Sequence, residues 1–233
     1  MPDLPIHLWY SITNLGGAGL TLPLALAIAL WLVVGYSWRM AASWVLVLGL
    51  AIGLVTLTKI AFLGWGVGVR ELDFTGISGH AMLSTAVYPV AFFLMLQGTP
   101  SFVRAAGVTI GLAVGLAVAL SRVVLDAHSP SEAVTGCVVG ALTALVFARY
   151  WWQAQARRIS AAAVALSLTA LTVALHNVHV PTHRWVTNIA LTVSGHDRPY
   201  VRAKWKANRA NRAPVAPVSQ TRNGLALPAQ RHA

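Results

Sequence analysis

Ser121-Arg122-Val123-Val124-Leu125-Asp126-Ala127-His128-Ser129-Pro130-Ser131-Glu132 places an arginine, a histidine and a carboxylate between two apolar segments, about 105–121 and 133–150. Each flanking segment approaches the roughly 20 residues that cross a bilayer. Ionisable groups at membrane depth or at its edge are costly and usually have a task. The stretch therefore reads as a corner where one membrane span ends and the next begins. A second histidine, in Gly76-Ile77-Ser78-Gly79-His80, stands at the mouth of another apolar segment.

The rest of the chain supports a membrane reading. Of 233 residues, 57% are hydrophobic and 10% charged, and the mean hydropathy is +0.66. Soluble domains carry about 25% charged residues, so an all-α integral membrane protein is expected. The net charge of +11 is uneven, because nine of the 17 Lys and Arg residues follow Val178. A basic tail beside a bilayer meets anionic lipid headgroups, which is a simpler partner than nucleic acid. The single Cys137 excludes a disulfide framework and a cysteine-rich metal site. The opening Met1-Pro2-Asp3-Leu4-Pro5 has no basic residue, so no cleaved signal peptide is expected.

Six segments are long and apolar enough to read as spans: about 20–36, 42–63, 80–97, 105–121, 133–150 and 159–178. Leu4 to Leu15, with Trp9 and Tyr10, reads as a short interfacial helix, and Gly16-Gly17-Ala18-Gly19 as the hinge into the first span. The expected organisation is an interfacial segment at 1–19, a six-span bundle at 20–178 and a basic, largely disordered tail at 179–233. Within the tail, Arg184 to Leu191 suits a short surface helix. Gly107, Gly111 and Gly115, spaced by four, suit close helix packing in lipid.

Antiparallel spans then gather the polar groups. Lys59 falls near the end of the second span, His80 at the start of the third, Arg122 at the end of the fourth, and His128 and Glu132 at the start of the fifth. All lie on one membrane face, with the loop 64–79 that carries Arg70, Glu71 and Asp73. Arg39, Arg104, Arg149, Arg157 and Arg158 fall on the other face, which the positive-inside rule makes cytoplasmic. The cluster is expected to face outward, toward the periplasm if the membrane is a bacterial inner membrane, and the tail lies on that side too.

These residue types fit phosphate chemistry. Arginine presents a planar fork to phosphate oxygens, and helix N-termini add N–H groups and a favourable dipole. A neutral histidine can attack phosphorus while a second, protonated one supplies the leaving oxygen's proton.

Ser121-Arg122, His128 and Glu132 resemble the third signature of the type-2 phosphatidic acid phosphatase superfamily, which includes vanadium-dependent haloperoxidases: Ser-Arg, five residues, His, three residues, Asp. Glu132 stands at the Asp position. Ile77-Ser78-Gly79-His80 resembles the second signature, Pro-Ser-Gly-His, with Ile for Pro. The first, Lys, six residues, Arg-Pro, is not intact; Lys59 and Arg70 are its candidates, with Glu71 following Arg70.

The resemblance implies a fold of membrane helices and a metal-free, cofactor-free hydrolysis. His128 would be the nucleophile, Glu132 its orienting carboxylate and His80 the acid for the leaving group. Arg122, Ser78 and the Gly79 N–H would hold the phosphate, helped by Lys59 and Arg70. The implied substrate is a lipid phosphate or diphosphate, such as phosphatidic acid, phosphatidylglycerol phosphate, a polyprenyl diphosphate or a lipid A phosphate. Transfer to a second acceptor, or phospholipid binding without turnover, are the alternatives.

Other roles compete for several of these residues. Ser129-Pro130-Ser131-Glu132 is also a capping box. Lys59 could snorkel to the interface, and Arg70 could balance Glu71 and Asp73 in a solvated loop. His176, His179 and His183 have the types of a metal cluster, but their spacing does not share one helical face and no acidic residue is close, so no metal site is expected.

Overall fold

The computed structural model describes residues 5–154, 160–175, 178 and 180–203. Within the unit Met1–Val201 they form α1 (Ile6–Asn14), α2 (Ala18–Gly35), α3 (Trp38–Trp65), α4 (Gly79–Met95), α5 (Ser101–Val124), α6 (Pro130–Tyr150), α7 (Ala161–Leu175) and α8 (Thr182–Ser194). The described residues form no strand, only one isolated antiparallel bridge between Val69 and Phe74. The expected basic tail lies outside the described residues from 204 on, as do Arg157, Arg158, His176 and His179.

Local chemistry sets the helix ends. Ser37 caps α3 by accepting from the Met40 N–H at 3.2 Å, and Gly66, at φ 71°, closes it in the left-handed conformation. Ser129 caps α6 with Pro130 behind it and the reciprocal Glu132 contact in place. α5 runs to Val124, beyond the expected end at 121, because Ser121 and Arg122 do not stop a helix. The stop is at Asp126, whose φ of 51° reverses the chain. The expected hinge narrows to Leu15-Gly16-Gly17, and the surface helix lengthens to α8.

Four stretches are long and apolar enough to cross a membrane: Ile6–Gly35, interrupted by that hinge, Trp38–Trp65, Ser101–Val124 and Pro130–Tyr150. α4 and α7 are apolar but shorter. The outer surface carries Leu30 and Val34 of α2, Leu46 and Leu50 of α3, and Leu142 and Val146 of α6, all more than half exposed. A belt of that kind does not suit water and does suit hydrocarbon. Several hydroxyls within the helices bond back to their own carbonyls, as Thr109 does to Ala105 and Thr143 to Val139, which spares them the cost of an unpaired polar group in lipid. The chain is an all-helical integral membrane protein.

α4 is the central helix. Residues Ala81 to Ala91 are buried without interruption, so every face of the helix is enclosed and mostly apolar. α5 and α6 pack most extensively against it, and both do so over glycines. A Cβ on Gly111 would come 2.5 Å from the Pro89 Cα, and one on Gly136 2.7 Å from the Ser78 carbonyl. The main core joins Leu20, Ile28, Trp44, Phe93 and Phe147, with Trp44 and Phe147 meeting edge to face at 5.4 Å.

Candidate active site

The C-terminal ends of α3 and α5 and the N-terminal ends of α4 and α6 meet at one end of the bundle. Lys59, His80, Arg122, His128 and Glu132 are all carried there, as the alternation of spans requires.

Glu132 is the best-held group. It is fully buried (0% exposed). Its Oε1 accepts from the Thr75 N–H at 2.7 Å and from the Thr75 hydroxyl at 2.5 Å. Its Oε2 accepts from the Ser129 N–H at 3.3 Å and lies 2.7 Å from His128 Nδ1. Lys59 lies within electrostatic reach. Three fixed donors suit a carboxylate, which accepts only. Nδ1 must then be the donor in the pair with His128. That fixes the imidazole tautomer and leaves Nε2 with its lone pair.

His128 owes its place to the turn after α5. The Ala127 and His128 N–H groups both donate to the Arg122 carbonyl, at 3.0 and 3.1 Å, so the chain folds back over the helix end. Burial holds the imidazole below the ordinary histidine value of 6.5; Glu132 opposes that, and the charges of Lys59 and Arg122 add to it.

Arg122 occupies the last turn of α5, where a cation complements the helix dipole. Its Nη1 donates to the Thr13 hydroxyl at 3.0 Å. Its Nε is buried and has no hydrogen-bond partner among the described residues.

Loop 66–78 carries the rest. Gly76, at φ 147°, lets the backbone run down onto Lys59; a Cβ there would come 3.2 Å from the lysine Cγ. The Ile77 N–H donates to the Thr58 hydroxyl at 3.2 Å and the Ser78 N–H to the Glu132 carbonyl at 3.1 Å, tying α3, the loop and α6 together. Ser78 is fully buried as the N-cap of α4, its hydroxyl turned to the Ala81 N–H at 3.5 Å. Lys59 Nζ lies 3.6 Å from where a Gly79 Cβ would stand, so the ammonium sits at the mouth of α4. His80 lies in the first turn of that helix, partly buried. Arg70 is different: it is exposed on the turn that the Val69–Phe74 bridge closes.

Thr75 and Thr13 are the contributors that the sequence did not single out. Thr75 is one polar loop residue among several, 57 positions from Glu132, and Thr13 stands 109 positions from Arg122. No short motif links residues so far apart. Among the described residues no group of three His, Cys, Asp or Glu side chains is placed to hold a metal.

A membrane-embedded helical bundle with a histidine–carboxylate pair beside an arginine at its edge defines a narrow class. The PAP2 superfamily matches residues 59–156, from Lys59 through α6. The chain is also 34% identical over 199 residues to a Klebsiella pneumoniae protein described as "Uncharacterized 22.5 kDa protein in cps region", covering 83% of this chain and 95% of that protein. No solved structure matches. This chain belongs to the PAP2 superfamily. That membership points to phosphatase activity on phosphorylated, lipid-like substrates.

Proposed function

We propose that this protein hydrolyses a phosphate monoester or diphosphate on a lipid through a phosphohistidine intermediate. The observation that carries the reading is the His128–Glu132 pair, 2.7 Å apart, with the carboxylate saturated by Thr75 and Ser129 so that Nε2 is the free nucleophilic nitrogen. Nε2 attacks phosphorus, the phosphorus–oxygen bond to the lipid breaks, and His80 gives its proton to the departing oxygen. Water then attacks the phosphohistidine, returns a proton to His80 and releases inorganic phosphate. Arg122, Lys59 and the α4 N-terminus with Ser78 and Gly79 neutralise charge on the nonbridging oxygens. Arg70, exposed on its loop, would act only on a substrate that extends that far.

Location at the bundle edge suits an amphiphile whose headgroup stands at the bilayer surface. Arg39, Arg104 and Arg149 at the opposite end favour a cytoplasmic assignment for that end and a periplasmic site, in a six-span bundle with α1 and α8 at the interface.

The test is phosphate release from phosphatidic acid, phosphatidylglycerol phosphate, a polyprenyl diphosphate and a lipid A phosphate by purified, folded protein. One class should turn over, and His128→Ala should abolish turnover. His80→Ala should lose less activity on an aryl phosphate, whose leaving group needs no proton, than on the lipid. Equal rates for His128→Ala and wild type would rule out the mechanism. Label from the lipid phosphate found on an acceptor would make the protein a transferase.

A further inference from the structure

The superfamily match begins at Lys59, yet one of the groups that touches Arg122 comes from the far N-terminal side of it. Thr13 is 6% exposed, on the buried face of α1, and accepts from Arg122 Nη1 at 3.0 Å. The end of α1 is fastened at two further points. The Tyr88 hydroxyl of α4 donates to the Leu15 carbonyl at 2.7 Å. Gly16 packs between the Val118 side chain and the backbone of His80, where a Cβ would come 3.1 Å from the His80 carbonyl. Each contact adjoins a residue or helix that builds the site. α1 is thereby set against α4 and α5 beside the catalytic cluster.

A guanidinium carries its N–H donors in one rigid plane. Fixing one of them narrows the directions open to the others. Thr13 holds Nη1, while the buried Nε has no partner among the described residues. A buried donor on a cation needs an acceptor, and a phosphate oxygen would supply it. We infer that Thr13 is a positioning residue for Arg122: it sets the plane of the guanidinium so that Nε faces the substrate phosphate, and α1 is a wall of the phosphate site. The inference rests on the proposed reading of Arg122 as a phosphate-binding group. If Thr13 merely satisfied a buried cation, its loss would lower stability and leave phosphate affinity alone.

The experiment uses the full chain in detergent micelles with orthovanadate, a mimic of the phosphoryl transition state, as the probe. Binding of vanadate is measured directly, alongside kcat, KM and thermal unfolding. Thr13→Val keeps the shape and removes the acceptor; it should weaken vanadate binding about 10-fold, the effect of one hydrogen bond to a charged group, and lower kcat/KM to match. Thr13→Ser should restore most of that affinity. In an Arg122→Ala background, Thr13→Val should cause no further loss of vanadate affinity. Wild-type affinity in Thr13→Val would overturn the inference. So would Thr13→Ser as weak as Thr13→Val, or an undiminished effect without Arg122. Coupled vanadate binding in a chain that never turns over would sink the hydrolase reading and uphold this one. No vanadate binding by wild type would sink both.

Discussion

Glu132 has one methylene more than the aspartate at its position in the family signature, and the site uses that length. Its carboxylate reaches Thr75 with one oxygen and both His128 and Ser129 with the other. Withdrawing a carboxylate from water costs several kcal/mol, which here is offset by donors on every side. Glu132→Asp shortens the reach by about 1.5 Å and cannot serve Thr75 and His128 together. Its kcat should fall by roughly 10²-fold or more, the scale of a lost acid–base arrangement, with KM little changed in steady-state assays. The pH profile follows from the imidazole. In the proposed mechanism neutral His128 is the nucleophile, and its folded-state pKa is lowered, so the acid limb of kcat/KM should lie below pH 6.5. Glu132 raises that pKa, so Glu132→Gln should move the limb further toward acid while reducing the rate. The capping contact and the contact with His128, which the sequence left as competing readings of Glu132, coexist in the structure, because Oε2 meets both the Ser129 N–H and His128. The histidines and Arg122 were legible because each lies in a short stretch of unusual chemistry. Thr75 and Thr13 were not, because a lone threonine becomes informative only when folding brings its partner to it.

Among the helices, the glycines divide by what they face. On α5 and α6 they are the surface across which α4 packs. A larger side chain at Gly111 meets the Pro89 backbone, which cannot move aside as a flexible side chain could. Gly111→Leu should destabilise the bundle by at least the ~1–3 kcal/mol of an overpacked core, read as a lower melting temperature in detergent. Gly49 of α3 has nothing within 4 Å of a Cβ, and Gly49→Ala should hold or raise stability, by up to ~1 kcal/mol from helix propensity. The sequence spacing predicted close packing at 107, 111 and 115 but could not say which helix was approached. The start of α6 was readable from the capping box at Ser129, whereas α3 begins at Trp38 behind the Ser37 cap, ahead of the expected 42. The end of α5 was not readable, since Arg122 looked like the boundary, and an aspartate that suits a turn at 126 does not say how far the helix runs before it.

For the whole molecule, the alternation of helices makes a statement about sides. Loop 66–78 and the α4–α5 turn lie at opposite ends of the bundle. In a Cys137→Ala background, Glu71→Cys should react with a membrane-impermeant maleimide on intact Gram-negative cells, and Ser101→Cys only after lysis. The reverse pattern would turn the site toward the cytoplasm. α8 adds to the site's end of the bundle: Ser194 and Ala190 pack on Gly64, His196 Nδ1 meets the Gly64 carbonyl at 2.7 Å, and the Tyr200 N–H donates to Leu63. Composition exposed the membrane character at once. It could not expose this docking, because the segment is too polar to read as a span and its partner lies more than a hundred residues away.

The buried position of α4 also bears on biogenesis. A nascent chain emerges N-terminus first, so α4 is made before α5 and α6, the helices that enclose it. During that interval the helices that will cover Ser84 and Thr85 are absent. Ser84 and Thr85 donate to the His80 and Ala81 carbonyls of their own helix, so these two hydroxyls need no partner from α5 or α6 when α4 enters the bilayer.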